Sequence, residues 1–379
     1  MNAESTVRKY FNAAGIEVNG SQPGDIQVKN PGFYQRVMSG GSLGLGESYM
    51  DEWWDVENLE EFLYKLIVWR NENYNSPALR WTRLWFDTKR VLFNLQTPLR
   101  SKEVIDTHYD LSPELFQDML GETMAYSCAY WKHANSLDQA QRNKFDLICR
   151  KLELKESDRV LDLGCGFGSF SRYAAENYGC TMVAVTLSAN QAAYAREFCK
   201  GLPVEVHVTD YRNTSQYTDG KPFDKVASIA MFEAIGRKNF RGYMELVDRV
   251  LPEKGLWLLH TIGDEICSSD PWLEKYIFPN GELPTTEQIS IAIKNLFDLE
   301  DFHNFGLDYR RTLAEWEANF RGNWEIIKAR NAKMFDTRFF RMWIYYLNAC
   351  QAAFRSRNML LWHFVMSKGY LSMGYESVR

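Results

Sequence analysis

The sequence predicts an α/β protein in which a parallel sheet carries helices on both faces and a smaller, mostly helical domain precedes it. Three observations predict this. Short apolar runs alternate with helical patterns from about residue 106, glycines follow the first of these runs, and helical periodicity broken by Gly and Asn fills the first ninety residues. The 379 residues, 45% hydrophobic and 25% charged, exclude disordered and fibrous classes.

The elements follow in chain order. The predicted strands are 159–163, 181–186, 204–208, 225–231 and 255–261, with a last buried strand at 360–366. Helices are predicted at 169–178 and 189–200, and a mostly helical insertion between 263 and 296. Because strand, helix and strand alternate, the strands are expected to pair in parallel. We assign 1–90 to an N-terminal domain, 91–105 to a linker and 106–379 to a second, larger domain.

Charge, cysteines and hydropathy restrict the function classes. The net charge of −5 argues against a nucleic-acid binder. The seven cysteines are odd in number and include no Cys-x-x-Cys pair or Cys/His ligand spacing, which argues against a disulfide framework and a structural zinc site. No signal peptide and no run of roughly 20 apolar residues is present. These features predict a cytoplasmic protein.

One stretch, residues 62–102, combines many aromatic side chains with eight basic and two acidic residues. A helix lying on an anionic membrane surface would have this composition. An amphipathic helix packed on its own domain, with a solvated basic face that includes Arg80, Arg83, Lys89 and Arg90, would have it too. The sequence favours neither interpretation.

The clearest local signal is the run Val-Leu-Asp-Leu-Gly-Cys-Gly-Phe-Gly at 160–168. Glycines directly after a strand allow the backbone to approach a ligand closely. A dinucleotide site would place an acidic residue at the end of the second strand, but none occurs between Asn177 and Arg196. With Asp162 inside the strand end, the run is similar to the motif of Rossmann-like S-adenosylmethionine-dependent methyltransferases.

Further segments make the resemblance specific. They are His108-Tyr-Asp-Leu, Tyr126-Ser-Cys-Ala-Tyr-Trp, 185–191, Thr209-Asp-Tyr-Arg, Phe232-Glu, Leu259-His-Thr-Ile-Gly, 275–284, 304–309 and 346–350. In this order they resemble the cyclopropane-fatty-acyl-phospholipid synthases, relatives of the mycolic acid cyclopropane synthases, over essentially the whole chain. The resemblance implies transfer of a methylene group from S-adenosylmethionine to the cis double bond of an unsaturated phospholipid acyl chain, with bound bicarbonate as base.

The resemblance also implies partners and site residues. It implies a homodimer in peripheral contact with the inner face of the membrane, in which the N-terminal domain 1–90 engages lipid and the domain 106–379 is catalytic. The implied cofactor contacts are Tyr126 and Ser127 at the methionine end, Gly164, Gly166 and Gly168 at its backbone and ribose, Thr186, Leu187 and Gln191 in place of a ribose acid, and Asp210 and Tyr211 at the adenine. The implied catalytic residues are Cys128, Glu233, His260, Tyr309 and Cys350, and all of these except Cys350 would hold the bicarbonate together with the N–H of Ile262.

These residue types suit the chemistry. Attack of an alkene on the methyl group leaves a carbocation, which requires a dry pocket and a base. His260 and Tyr309 can donate hydrogen bonds to an anion, whereas Glu233 would accept the ion's own proton. Ala234 stands where many family members have His.

Other functions remain open at this stage. One is a related acyl methyltransferase with a branched or hydroxylated product, and another is a small-molecule methyltransferase. A non-catalytic lipid-binding protein is disfavoured by the intact glycine loop.

Overall fold

The computed structural model describes residues 2–73, 112–265, 270–279, 281–371 and 373–379. The α-helices are α1 Ala3–Ala13, α2 Gly32–Met50, α3 Leu59–Glu72, α4 Pro113–Leu120, α5 Leu137–Lys151, α6 Ser169–Tyr178, α7 Ala189–Phe198, α8 Phe240–Val250, α9 Pro271–Tyr276, α10 Thr286–Ile293, α11 Gly306–Gly322, α12 Trp324–Arg330 and α13 Thr337–Arg355. The strands are β1 Gln27–Val28, β2 Trp54–Asp55, β3 Arg159–Leu163, β4 Thr181–Thr186, β5 Val204–Val208, β6 Lys225–Ile229, β7 Leu256–Gly263, β8 Asp298–Asn304 and β9 Leu360–Ser367.

A seven-stranded sheet forms one of two compact units, which comprises residues 112–265, 281–308 and 360–379 among those described. Its strand order is β5-β4-β3-β6-β7-β9-β8. The first five strands in this order are parallel, as predicted. The remaining two differ from a purely parallel sheet, because β9 runs antiparallel to β7 and β8 runs antiparallel to β9.

The inner parallel strands β3, β4, β6 and β7 are mostly apolar because both faces of the sheet are covered there, whereas the edge strand β5 alternates apolar and polar residues. Leu161 on β3 and Leu259 on β7 belong to a core shared with α8 and α10. The alternate positions Val160 and Leu258 belong to a second core with α5 and α6. Successive side chains on a strand point to opposite faces. Every side chain of the inner strands must therefore be apolar or have its polar groups hydrogen-bonded within the protein.

The other unit comprises residues 2–73, 270–279 and 309–359. Its core includes the fully buried ring of Trp54, which lies 6.3 Å from the ring of Phe33 and 5.0 Å from that of Phe62, both also fully buried. Helix α13 packs against α2 and α3. Arg341 on α13 donates hydrogen bonds to Asp55 Oδ1 at 2.7 Å and to the carbonyl of Trp54 at 2.9 Å. These contacts bring a C-terminal helix onto the N-terminal residues.

The predicted boundaries at 90 and 105 lie outside the described residues, so the division into a lipid-engaging and a catalytic domain stays a prediction. Part of the basic stretch does lie within α3. There Phe62 is fully buried and Arg70 donates to Asn358 Oδ1 at 2.7 Å, so this part is packed. The remainder, residues 74–102, is outside the description. Among the described helices, none is long and apolar enough to cross a bilayer.

Candidate active site

A cleft opens at the carboxyl ends of β3, β4 and β6, where open parallel sheets bind ligands. Nine of the ten predicted cofactor residues line it: Tyr126, Ser127, Gly164, Gly166, Thr186, Leu187, Gln191, Asp210 and Tyr211. The predicted glycine loop, second-strand end and third-strand end therefore meet in one place. The contacts that each residue makes with a bound cofactor stay predictions.

The glycine loop approaches its neighbours too closely for side chains. At Gly164, φ is +83° and an added Cβ would lie 2.8 Å from the Cβ of Met231. The Gly164 N–H donates to the carbonyl of Val185 at 3.0 Å, which holds the loop against the end of β4. Gly168 has a different role: it precedes α6 with φ +84°, and an added Cβ would lie 3.0 Å from that of Ala195. It therefore allows close packing of α6 on α7 and does not line the cleft.

The polar side chains that line the cleft at the ends of β4 and β5 are held by local hydrogen bonds. Thr186 Oγ1 lies 3.0 Å from Gln191 Oε1, and Ser188 caps α7 through the N–H of Gln191. Asp210 accepts from the backbone N–H of Arg212 at 2.9 Å and from its guanidinium at 2.7 Å. These contacts set the side chains in place before a ligand binds.

A buried lysine that was not predicted from the sequence supports Ser127, which lines the cleft. Lys144 on α5 is fully buried, and its Nζ donates at 2.7 Å to both Ser127 Oγ and Gln141 Oε1. Gln141 Nε2 in turn donates to the carbonyl of Ser127 at 2.9 Å. Burial lowers the pKa of Lys144 to about 7. This pair fixes both the side chain and the backbone of a residue that lines the cleft.

Asp162, at the carboxyl end of β3, also lines the cleft. It is almost fully buried and accepts a hydrogen bond from Ser171 Oγ at 2.7 Å. Burial raises the pKa of its carboxyl to about 6, against the opposing effects of Ser171 and Lys144. The glycine motif contained this residue, but its burial became visible only in the folded chain.

Glu233 follows β6 in a short 3₁₀ turn, Phe232–Ala234. Its Oε1 accepts a hydrogen bond from the N–H of Ile262 on β7 at 2.6 Å. Its Oε2 is buried and has no partner among the described residues. Burial raises the pKa of this carboxyl to about 7, and the Ile262 hydrogen bond opposes that rise. The Ile262 N–H, predicted to donate to a bicarbonate ion, thus donates to the carboxylate.

His260 lies two residues before Ile262 on β7 and is fully buried. Its Nδ1 is 2.8 Å from Nε2 of His363 on β9, whereas its own Nε2 has no partner within the described part of the chain. Burial lowers its pKa well below the usual value, and the nearby charge of Lys144 acts in the same direction. The imidazole is therefore neutral at pH 7.

The other predicted catalytic residues are buried in different places. Cys128, adjacent to Ser127, is fully buried, with Sγ 3.2 Å from the carbonyl of Ala129. Tyr309 on α11 stacks on Phe354, with ring centroids 4.5 Å apart, and belongs to the unit without the large sheet. Cys350 on α13 belongs to that unit too, and burial raises the pKa of its thiol to about 12. The roles of these three residues stay predictions.

The chain is similar in sequence to a known family of enzymes. The family model described as mycolic acid cyclopropane synthetase matches residues 96–364. The chain belongs to the mycolic acid cyclopropane synthetase family. A cyclopropane-fatty-acyl-phospholipid synthase of Escherichia coli (strain K12) is 46% identical over 367 residues, which cover 95% of this chain and 92% of that protein. The predicted resemblance is therefore confirmed.

Solved structures of this family share the fold. The cyclopropane synthase MmaA2 of Mycobacterium tuberculosis matches with a TM-score of 0.64 and 28% identity, covering 73% of this chain and 100% of that one. The mycolic acid cyclopropane synthase CmaA1, solved with SAH and CTAB, also has a TM-score of 0.64 and 28% identity, covering 71% and 98%. The predicted Rossmann-like, S-adenosylmethionine-dependent methyltransferase fold is confirmed.

Proposed function

We propose that this protein transfers a methylene group from S-adenosylmethionine to the cis double bond of unsaturated phospholipid acyl chains, forming cyclopropane fatty acids. The observation that carries the proposal is the cleft, where two glycines of the loop and seven other residues of the predicted cofactor set meet at one edge of the sheet. The identity of 46% to the Escherichia coli synthase over nearly the whole chain supports the substrate class.

The chain's own residues supply binding and a dry environment. S-adenosylmethionine, when bound, supplies the electrophilic methyl group. The glycine loop admits the cofactor closely, and Lys144 with Gln141 holds Ser127 against the cleft. Cys128 and Ala129, next to Ser127, have no exposed surface. Excluding water at this point protects a carbocation from capture.

The buried atoms at the ends of β6 and β7 fit a bicarbonate ion. Glu233 Oε2 is an acceptor without a partner among the described residues, and His260 Nε2 is a second buried atom without one. Bicarbonate held there would supply the base that removes a proton from the newly added methyl group. Glu233 would accept the O–H of the ion and His260 would donate to one of its oxygens, while the Ile262 N–H holds the Glu233 carboxylate in position.

The test is incubation with S-adenosylmethionine and vesicles of unsaturated phospholipid, followed by mass analysis of the acyl chains. A gain of one CH₂ with loss of the double bond is expected. Acyl chains that gain a methyl branch or a hydroxyl instead, or that do not change, would overturn the proposal. The base is tested in buffer freed of carbon dioxide, where added bicarbonate should restore turnover; turnover independent of bicarbonate refutes that part alone.

We further propose that the enzyme works as a homodimer on the cytoplasmic face of the membrane and contacts anionic lipid through residues 74–102. Each Lys or Arg near such a surface contributes about 1 kcal/mol. Neutralising Arg80, Arg83, Lys89 and Arg90 together should weaken sedimentation with anionic vesicles and reduce its salt dependence. Activity on detergent-dispersed lipid should fall much less. Unchanged vesicle binding of the fourfold variant would show instead that the stretch packs on its own domain. The dimer is tested by sedimentation equilibrium, where a monomer mass would contradict it.

A further inference from the structure

Two buried histidines face each other across the antiparallel strands β7 and β9. The pairing register sets His260 directly opposite His363, and neither residue has exposed surface. Nδ1 of the first is 2.8 Å from Nε2 of the second, a normal hydrogen-bond distance. The predicted strand 360–366 included His363, but the proposed function gives it no role.

Both imidazoles are neutral at pH 7, so their hydrogen bond contains one proton. Burial lowers the pKa of His363 well below its usual value, and the neighbouring His260 and Lys151 act in the same direction. A neutral imidazole carries a proton on one nitrogen only. The nitrogen that donates in this hydrogen bond therefore determines which outer nitrogen of the pair keeps an N–H.

The two outer nitrogens are His260 Nε2 and His363 Nδ1, and both are buried without a partner among the described residues. If His363 donates, His260 keeps an N–H at Nε2 and His363 keeps a bare lone pair. If His260 donates, the bare lone pair lies on His260 and the buried N–H on His363. A buried N–H without an acceptor is rarer than an unsatisfied acceptor, so the N–H belongs where an acceptor arrives.

An anion at the ends of β6 and β7 is compatible with only one of these arrangements. It would accept from an N–H at His260 Nε2, whereas a lone pair there would repel it. We propose that His363 is a positioning residue that donates its Nε2–H to His260 Nδ1 and thereby keeps the catalytic proton of His260 on Nε2. The catalytic consequence rests on the proposed function, because it takes the anion to be the bicarbonate base.

Nitrogen NMR tests the tautomer directly. The chain has six histidines, so the spectrum of protein labelled with ¹⁵N-histidine can be assigned with single substitutions. The expected result is a protonated Nε2 and an unprotonated Nδ1 on His260, in protein free of bicarbonate and cofactor as well as in the complex. A protonated Nδ1 on His260 would overturn the inference. Because this measurement needs no turnover, it remains informative if the bicarbonate proposal fails.

Activity tests the consequence. His363→Gln keeps an N–H donor near the position of Nε2, whereas His363→Leu removes it. The Leu variant should lose about 10- to 100-fold in turnover, the loss typical of removing the group that orients a functional histidine, with the KM for S-adenosylmethionine unchanged. The Gln variant should recover most of that loss. Equal losses in both variants would overturn the inference.

A neighbouring histidine provides the matched control. His303 on β8 also lies opposite His363, with ring centroids 6.3 Å apart, but the nitrogen 2.8 Å from His260 Nδ1 belongs to His363. His303→Gln should leave the tautomer of His260 and the turnover within a few-fold of wild type. If His363→Leu unfolds at a much lower temperature than wild type, NMR of His363→Gln tests the inference instead. In that variant His260 must keep its proton on Nε2.

Discussion

Replacing Glu233 by Gln tests the proposed base-holding role and the electrostatics of its site in one variant. Oε1 of the new amide can still accept from the Ile262 N–H, which lies 2.6 Å from Oε1 of Glu233. The amide nitrogen takes the place of the buried Oε2, which has no partner among the described residues. The substitution therefore removes the ionisable group while keeping its shape and its main hydrogen bond.

The size of the expected change in the free energy of unfolding follows from the pKa of the Glu233 carboxyl, which burial raises from 4.5 to about 7. A difference of this size corresponds to roughly 3 kcal/mol. Folded Glu233 keeps its proton to a higher pH than the unfolded chain does, so the folded state binds more protons between these values. The free energy of unfolding of the wild type therefore receives this contribution fully below pH 4.5 and loses it as the pH rises through 7.

The assay is denaturant unfolding of both proteins between pH 4 and pH 8, in buffer without bicarbonate. The Gln variant lacks the titrating group, so its free energy of unfolding relative to wild type should rise by roughly 3 kcal/mol across this range. The raised pKa of Asp162 affects both proteins equally and cancels. Glu245→Gln is the control, because this carboxylate lies on α8, pairs with Arg241 at 2.9 Å and is 45% exposed.

Turnover provides the second readout. Loss of the group that accepts the proton of the ion should lower turnover by about 10² to 10⁴, while cofactor affinity stays nearly unchanged. Activity of the wild type should rise with pH through about 7 as Glu233 ionises, and the variant should lose this rise. Parallel stability curves for the variant and the wild type, or turnover within a few-fold of wild type, would refute the reasoning.

Three further predictions concern the cleft and the sheet. Gly164→Ala forces a Cβ to within 2.8 Å of Met231 at a φ of +83°, and calorimetry should show at least about tenfold weaker cofactor binding. Lys144→Met should raise the KM for S-adenosylmethionine more than it lowers kcat. Folded Lys144 loses its proton near pH 7 rather than 10.5. The free energy of unfolding of the wild type should therefore increase relative to that of the variant as the pH rises from 7 to 10.5. A difference between the two proteins that does not change with pH would contradict this. Asp301→Asn leaves Lys151, its buried partner at 2.6 Å, uncompensated, and should cost about 3–5 kcal/mol in urea unfolding.

Local pattern was sufficient to predict the parallel core of the sheet. Strands β3, β4 and β5 begin and end at the predicted residues. Strands β3 and β4 are short, mostly buried apolar runs, as strands covered on both faces must be, whereas the edge strand β5 shows the apolar–polar alternation of a half-exposed strand. The helix predicted at 189–200 ends two residues earlier and the strand predicted at 255–261 extends to 263, since the ends of elements depend on capping and pairing partners. The glycine loop was equally visible because its conformation depends on residue type.

Strand β8 was not predicted. Its sequence, Asp-Leu-Glu-Asp-Phe-His-Asn at 298–304, is mostly polar, and among the described strands it pairs only with β9, at the edge of the sheet. A strand with one paired side and a partly exposed face does not need an apolar run. Its existence depends on the backbone of β9, which lies about sixty residues further along the chain.

The sequence by itself therefore determined the fold class and the family, because both depend on residue types at short, ordered spacings. The family resemblance in turn indicated nine residues that line the cleft. Only the tertiary structure showed that Lys144 is buried beneath Ser127 and that the Ile262 N–H holds Glu233. It alone placed His363 against His260. These contacts join residues 17 to 103 positions apart, and burial and hydrogen bonding between such distant residues arise from packing rather than from local pattern.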